Sequence, residues 1–152
     1  MSARKGKRKE YLTVKDLQKV LDSCTLHLSQ LDEVWPHIYI GNVAVAQNKA
    51  ALLKLDDSTH FDLDVYFQPA ADFIHKALKS PGGKVLVHCI MGMSRSSTLV
   101  LAYLMIYQHL PLKQALQKLI QKRAIYPNRN FLALLLDLDL QLTKKRKTCQ
   151  IL

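Results

Sequence analysis

An α/β fold in which helices outnumber strands is what the sequence predicts, and three observations carry it. Lys84 to His88 is a short β-branched and apolar run behind the breaker Pro81-Gly82-Gly83, which reads as a buried strand. Ser96 to Ile106 is apolar almost throughout and long enough for a buried helix. Most of the remaining chain shows apolar residues at helical rather than alternating spacing. In chain order, that spacing predicts a helix near Val14 to Leu21, and the β-branched and aromatic residues of Glu33 to Gly41 predict a strand pair. Helices follow over Val43 to Leu55 and Asp62 to Leu78. After the strand ending at His88 come helices over Ser96 to Tyr107, Leu112 to Lys122 and Asn130 to Leu142. No internal repeat is visible, and the longest apolar stretch, Thr98 to Ile106, is too short to cross a bilayer.

Between the predicted strand and the predicted helix lies His88-Cys89-Ile90-Met91-Gly92-Met93-Ser94-Arg95-Ser96. A turn at that junction points successive backbone N–H groups inward, and the positive end of the helix dipole favours a dianion. Gly92 permits a backbone conformation closed to other residues. The turn from Ile90 to Arg95 is therefore the expected cradle for a tetrahedral oxyanion. A free thiol titrates near about 8.5, and a helix N-terminus and an arginine lower that value, so Cys89 is expected to be a thiolate nucleophile. Arg95 offers a planar fork that holds two phosphate oxygens and the charge of a transition state, which a lysine does poorly. A cysteine at the end of a buried strand is ordinarily a small core residue, but packing does not demand the accompanying histidine, glycine and Ser-Arg-Ser bracket. The implied reaction is phosphoryl removal by a thiolate. His88 is expected to support Cys89 by hydrogen bonding from the core.

Together with this turn, three further segments resemble the atypical dual-specificity protein phosphatases of the cysteine-based tyrosine phosphatase superfamily. They are Asp32 to Asn42, Asp56 to Leu63, and Pro127 to Leu132. The resemblance covers about residues 10 to 142. It implies a tyrosine-phosphatase-like fold with a central, mostly parallel sheet flanked by helices. It also implies phosphorylated proteins as substrates, with phosphotyrosine and phosphoserine or phosphothreonine hydrolysed through a cysteinyl-phosphate intermediate, and no metal or cofactor. By position, Cys89 resembles the family's nucleophile, Arg95 the phosphate clamp, Asp57 the general acid, and Ser96 the hydroxyl that helps Cys89 depart. Outside the resemblance, Asp56-Asp57-Ser58 also reads as a capping stretch for the next helix.

The chain departs from the family after Leu55. Relatives place a strand, a variable loop and another strand before the acid loop, whereas here Leu55 runs straight into Asp56-Asp57. About thirty residues or more are missing, the size of a strand-connection-strand unit. The sheet is therefore expected to be reduced, leaving the strand at Lys84 to Leu86 without parallel neighbours on one side. Two outcomes are compatible with the gap: a shortened chain that folds poorly, or a folded variant with a rearranged sheet. The shortened tether on Asp57 also keeps open a second function, a catalytically weak protein that binds phosphorylated sites. A sulfur-transfer or arsenate-reducing enzyme is a third reading, disfavoured by the match around Trp35 and Phe131.

The 152 residues, 49% hydrophobic and 22% charged, suit one catalytic domain over residues 11–142 between basic tails at 1–10 and 143–152. The formal charge of +10 is concentrated in those tails: removing their nine cations and Glu10 from 22 basic and 12 acidic residues leaves 13 against 11. Specific nucleic-acid binding is therefore not expected. Contact of the tails with an anionic membrane surface is one alternative to simple solvation. Cys149-Gln150-Ile151-Leu152 behind the basic run matches a prenylation signal in outline. Cys24, Cys89 and Cys149 cannot pair completely and no apolar signal segment opens the chain, so a cytoplasmic or nuclear location is expected, membrane-associated if Cys149 is prenylated. The histidines show no metal-ligand spacing.

Overall fold

In the computed structural model the described residues are 12–42, 51–54, 63–89 and 93–149. Helix α1 spans Val14–Asp22. Thr13 starts it: its Oγ1 accepts from the Asp16 N–H at 3.2 Å, and the Asp16 carboxylate accepts from the Thr13 N–H at 2.9 Å. This reciprocal cap satisfies donors that a helix start otherwise leaves open, and the Thr13 hydrogen bonds hold the Asp16 carboxyl below its usual range. Strands β1, Leu31–Trp35, and β2, Ile38–Gly41, form an antiparallel pair. Pro36 and His37 make the turn between them, with His37 at φ 66°, a conformation in which histidine is enriched several-fold.

Strand β3, Ala51–Lys54, is the main correction to the sequence reading, which placed a helix over Val43 to Leu55. Residues 43–50 and 55 lie outside the described residues. Alanine and leucine favour helix intrinsically, but three apolar residues and a lysine are ambiguous on period alone, and pairing decides it. β3 runs parallel to β4, Val85–His88, with Ala51 opposite Val85 and Lys54 opposite His88. β2 flanks β4 on the other side, also parallel, from Ile38 opposite Val85 to Gly41 opposite His88. The strand order is β1-β2-β4-β3. The strand expected to lose its parallel neighbours on one side has one on each, because a segment ahead of the gap takes the vacant position.

A 3₁₀ turn at Leu63–Tyr66 leads into α2, Phe67–Lys79. Pro69 falls in its first turn, where a missing N–H costs nothing. After α2 the chain reverses at Gly82 and Gly83. Gly82 has φ +67°, and a Cβ on Gly83 would lie 1.8 Å from the Ala77 carbonyl oxygen, so neither position accepts a side chain without rearrangement. Helices α3, Arg95–Tyr107, α4, Leu112–Ile120, and α5, Arg129–Cys149, complete the fold. The start of α4 is held from outside, its Leu112 N–H donating to Asp139 of α5 at 3.2 Å. α5 runs seven residues past the predicted end at Leu142, and Arg146 within that extension donates to the Met105 carbonyl at 3.4 Å.

All four residues of β4 and every residue of α3 from Ser96 to Met105 are buried. α3 is thus the axis of the core, packed between α2 and α5 and against β4. A helix apolar on all sides is expected in such a central position. On its outer turn, Tyr107 donates to Asp72 of α2 and stacks on His75 with ring centroids 4.1 Å apart. Hydrogen bonds from Tyr107 and Gln68 hold the Asp72 carboxyl below its ordinary value, and the bond to Asp72 pushes the Tyr107 hydroxyl up. Among the described residues Arg123 is a charge buried inside, 1% exposed and paired with Asp32 of β1 at 2.8 Å. A buried guanidinium is tolerated only when paired, so this contact ties the loop after α4 to the edge of the sheet.

Candidate active site

The C-terminal ends of the three parallel strands are level, with Gly41 and Lys54 each opposite His88. Ligand sites in open α/β sheets form beyond such strand ends. The chain leaves β4 at Cys89 and enters α3 at Arg95, so the nucleophile candidate sits where a strand end meets a helix N-terminus. Cys89 is half-buried, and its Sγ lies 3.3 Å from the hydroxyl oxygen of the fully buried Ser96. Arg95 is half-buried at the first position of α3, and His88 is 6% exposed at the end of β4. Cys89, Arg95, Ser96 and His88 are therefore neighbours. Of the expected cradle, Met93 and Ser94 are described, whereas Ile90, Met91 and Gly92 lie outside the described residues, as does Asp57. Cys149 is the last residue of α5, remote in sequence from this junction. No group of three histidine, cysteine or acidic side chains among the described residues is placed to hold a metal ion.

The far limb of the turn is built from residues that sequence reasoning passed over. Ser97 donates its hydroxyl to the Met93 carbonyl at 2.5 Å and the Ser94 carbonyl at 3.0 Å, and Thr98 donates Oγ1 to the Ser94 carbonyl at 2.6 Å. Ser97 and Thr98 are fully buried, and buried hydroxyls require partners. Three adjacent hydroxyl residues, Ser96, Ser97 and Thr98, opening an otherwise apolar helix were the available signal. The loop before α5 adds two bonds: the Tyr126 N–H donates to the Met93 carbonyl at 2.8 Å, and the Asn128 N–H to Ser94 Oγ at 3.1 Å. With their carbonyls engaged in this way, Met93 and Ser94 are fixed ahead of α3.

A cysteine at a strand end thus lies against a serine in the first turn of a helix that opens with an arginine, and the comparisons with known proteins give the class to which such a chain belongs. The model of the dual specificity phosphatase catalytic domain matches residues 9–141, and the chain belongs to that family. Its function is accordingly that of a protein phosphatase acting on phosphotyrosine and on phosphoserine or phosphothreonine, with phosphorylated proteins as substrates. Among curated relatives, dual specificity protein phosphatase 26 of Homo sapiens is 41% identical over 164 positions, covering 87% of this chain and 78% of that protein. Since 87% of 152 residues is about 132, about 32 of the 164 positions have no counterpart here, the size expected for the missing segment. Among solved structures, a variant of human DUSP28 superposes with a TM-score of 0.68 at 23% identity, covering 77% of this chain and 99% of that one. A mouse dual specificity phosphatase complexed with zinc tungstate gives 0.67 at 24% identity, covering 80% and 97%. These two likenesses show the tyrosine-phosphatase-like fold.

Proposed function

We propose that Cys89, Arg95, Ser96 and Asp57 divide the hydrolysis of phosphorylated side chains among them. The observation that carries this reading is the 3.3 Å approach of Cys89 Sγ to Ser96 Oγ beside Arg95 at the start of α3. In the first step the Cys89 thiolate attacks phosphorus, and the bond to the substrate oxygen breaks while Asp57 delivers a proton to that oxygen. Arg95 and the N–H groups of residues 90–95 hold the equatorial oxygens, where charge spreads in the transition state. In the second step water attacks the cysteinyl phosphate, Asp57 takes up its proton, and sulfur leaves as thiolate. Ser96 donates its hydroxyl to that sulfur. His88, buried behind Cys89, orients it. The tungstate bound by the mouse relative is a tetrahedral oxyanion of the kind this cradle would hold.

Ser96→Ala tests the division of labour. Removing the donor that stabilises departing sulfur slows the second step selectively, so the phosphorylated enzyme accumulates. Acid quenching during turnover, followed by mass spectrometry of the peptide containing Cys89, should show one added phosphoryl group at higher occupancy than in the wild type. Unmodified Cys89 in both proteins during active turnover would remove the covalent intermediate.

We further propose that the C-terminal region attaches a cytoplasmic or nuclear enzyme to anionic membrane. Lys144 and Lys145 are exposed on α5 ahead of Cys149, and one prenyl chain plus a basic patch is the two-signal combination that stable attachment needs. A mass increase of one geranylgeranyl group on the C-terminal peptide from eukaryotic cells is expected. An unmodified Cys149 there refutes the attachment.

A further inference from the structure

Ser94 occupies the N-cap of α3, the position from which a serine ordinarily accepts an N–H of its own helix, yet no side chain caps α3. Its hydroxyl instead accepts the backbone N–H of Asn128, 34 residues away, at 3.1 Å. Asn128 is held in turn by the helix it starts. Its Oδ1 accepts the Phe131 N–H at 2.9 Å and its carbonyl accepts the Leu132 N–H at 3.0 Å. Phe131 and Leu132 are both buried, so the first turn of α5 is anchored in the core. A serine that capped α3 would compete with a bound oxyanion for the same first-turn donors.

We propose that Asn128 and Ser94 form a latch through which the start of α5 positions the phosphate-binding turn. They are positioning residues: the latch withdraws the Ser94 hydroxyl from α3 and fixes the backbone that aims Arg95 and the helix N–H groups at an oxyanion on Cys89. This inference rests on the roles assigned to Cys89 and Arg95 above.

The test compares Ser94→Ala, Asn128→Ala, Asn128→Asp and the double alanine variant in the full chain. Four quantities are read: kcat/KM on an aryl phosphate, inhibition by vanadate, the pH midpoint of Cys89 alkylation by iodoacetamide followed by mass spectrometry, and the thermal midpoint. Each single alanine change should lower kcat/KM and vanadate affinity about tenfold, less than the roughly 10²-fold that a 1 Å misplacement of a reacting group can cost, and raise the alkylation midpoint. Asn128→Asp keeps the acceptor for the Phe131 N–H and should recover most of the loss. The double variant should be no worse than the poorer single one, because both changes open one latch. Variants that melt earlier but keep the wild-type alkylation profile and vanadate inhibition would overturn the latch, as would additive losses. A wild type that neither turns over nor binds vanadate would overturn the phosphatase roles. The alkylation midpoints then still decide the latch: a shift in the alanine variants supports it and an unchanged value sinks it.

Discussion

Cys89→Ser should leave hydrolysis of an aryl phosphate at background, a loss of about 10⁴-fold or more, as when the nucleophile of a catalytic unit is removed. Serine has nearly the shape of cysteine, so the half-buried site beside Ser96 should keep its packing and the variant should melt close to the wild type. What disappears is the proposed nucleophile, since a serine hydroxyl, unlike a thiol, needs a separate base to attack phosphorus. Arg95→Lys, read in the same assay, should lose about 10²- to 10³-fold, the scale for an oxyanion donor. A lysine keeps the charge but not the fork that meets two oxygens at once. The two variants should separate by ligand binding, since vanadate affinity should fall with Arg95→Lys. Equal turnover by wild type and Cys89→Ser would end the assignment of the nucleophile.

What could be read from sequence follows the range of each interaction. Val85–His88 and Arg95–Tyr107 were legible because an apolar run behind a Pro-Gly-Gly breaker and a long apolar stretch are local signals. The junction between them was legible for the same reason: Cys89, Arg95 and Ser96 fall within eight consecutive positions, and one strand-turn-helix unit sets their geometry. Ala51–Lys54 was misread because its four residues carry no decisive period, and only the parallel register with β4 makes them a strand. The extension of α5 to Cys149 was missed because its last turns carry charge, while the Arg146 contact with Met105 depends on a neighbouring helix. The ties Ser94–Asn128 and Asp32–Arg123 span 34 and 91 residues. No local pattern announces such pairs. They follow only once the strands and helices are in place.

The rearranged sheet bears directly on whether a domain missing about thirty residues keeps its site. A strand lacking partners on one side leaves N–H and carbonyl groups unpaired, and any movement of β4 would carry Cys89 with it. Here β2 and β3 both pair with Val85–His88 through its full length, so the strand that runs into Cys89 is fixed from both sides. β3 closes the edge of the sheet, and β4 reaches Cys89 with a partner on each side.

Asp57→Asn should slow poor leaving groups far more than good ones: about 10²- to 10³-fold for an alkyl phosphate such as a phosphothreonine peptide, within the range for general acids, and only a few-fold for an aryl phosphate with an acidic phenol. The difference is chemical. An alkoxide is a strong base and leaves thiolate-bound phosphorus only if protonated as the bond breaks, whereas an acidic phenolate departs without help. The register of β3 bears on whether Asp57 can serve. Lys54 pairs with His88, one residue from Cys89, and neighbouring strands lie about 4.8 Å apart. Asp57 follows Lys54 by three positions, and three residues of chain span at most about 10 Å. The chain thus leaves β3 already level with the end of β4, so the missing segment does not by itself keep a residue at position 57 from reaching Cys89. Rates measured across a series of phenols against pKa should show a steeper dependence in Asp57→Asn than in the wild type. Parallel lines would show that protonation of the leaving group comes from elsewhere, and an Asp56→Asn variant with the steeper line would transfer the role to its neighbour.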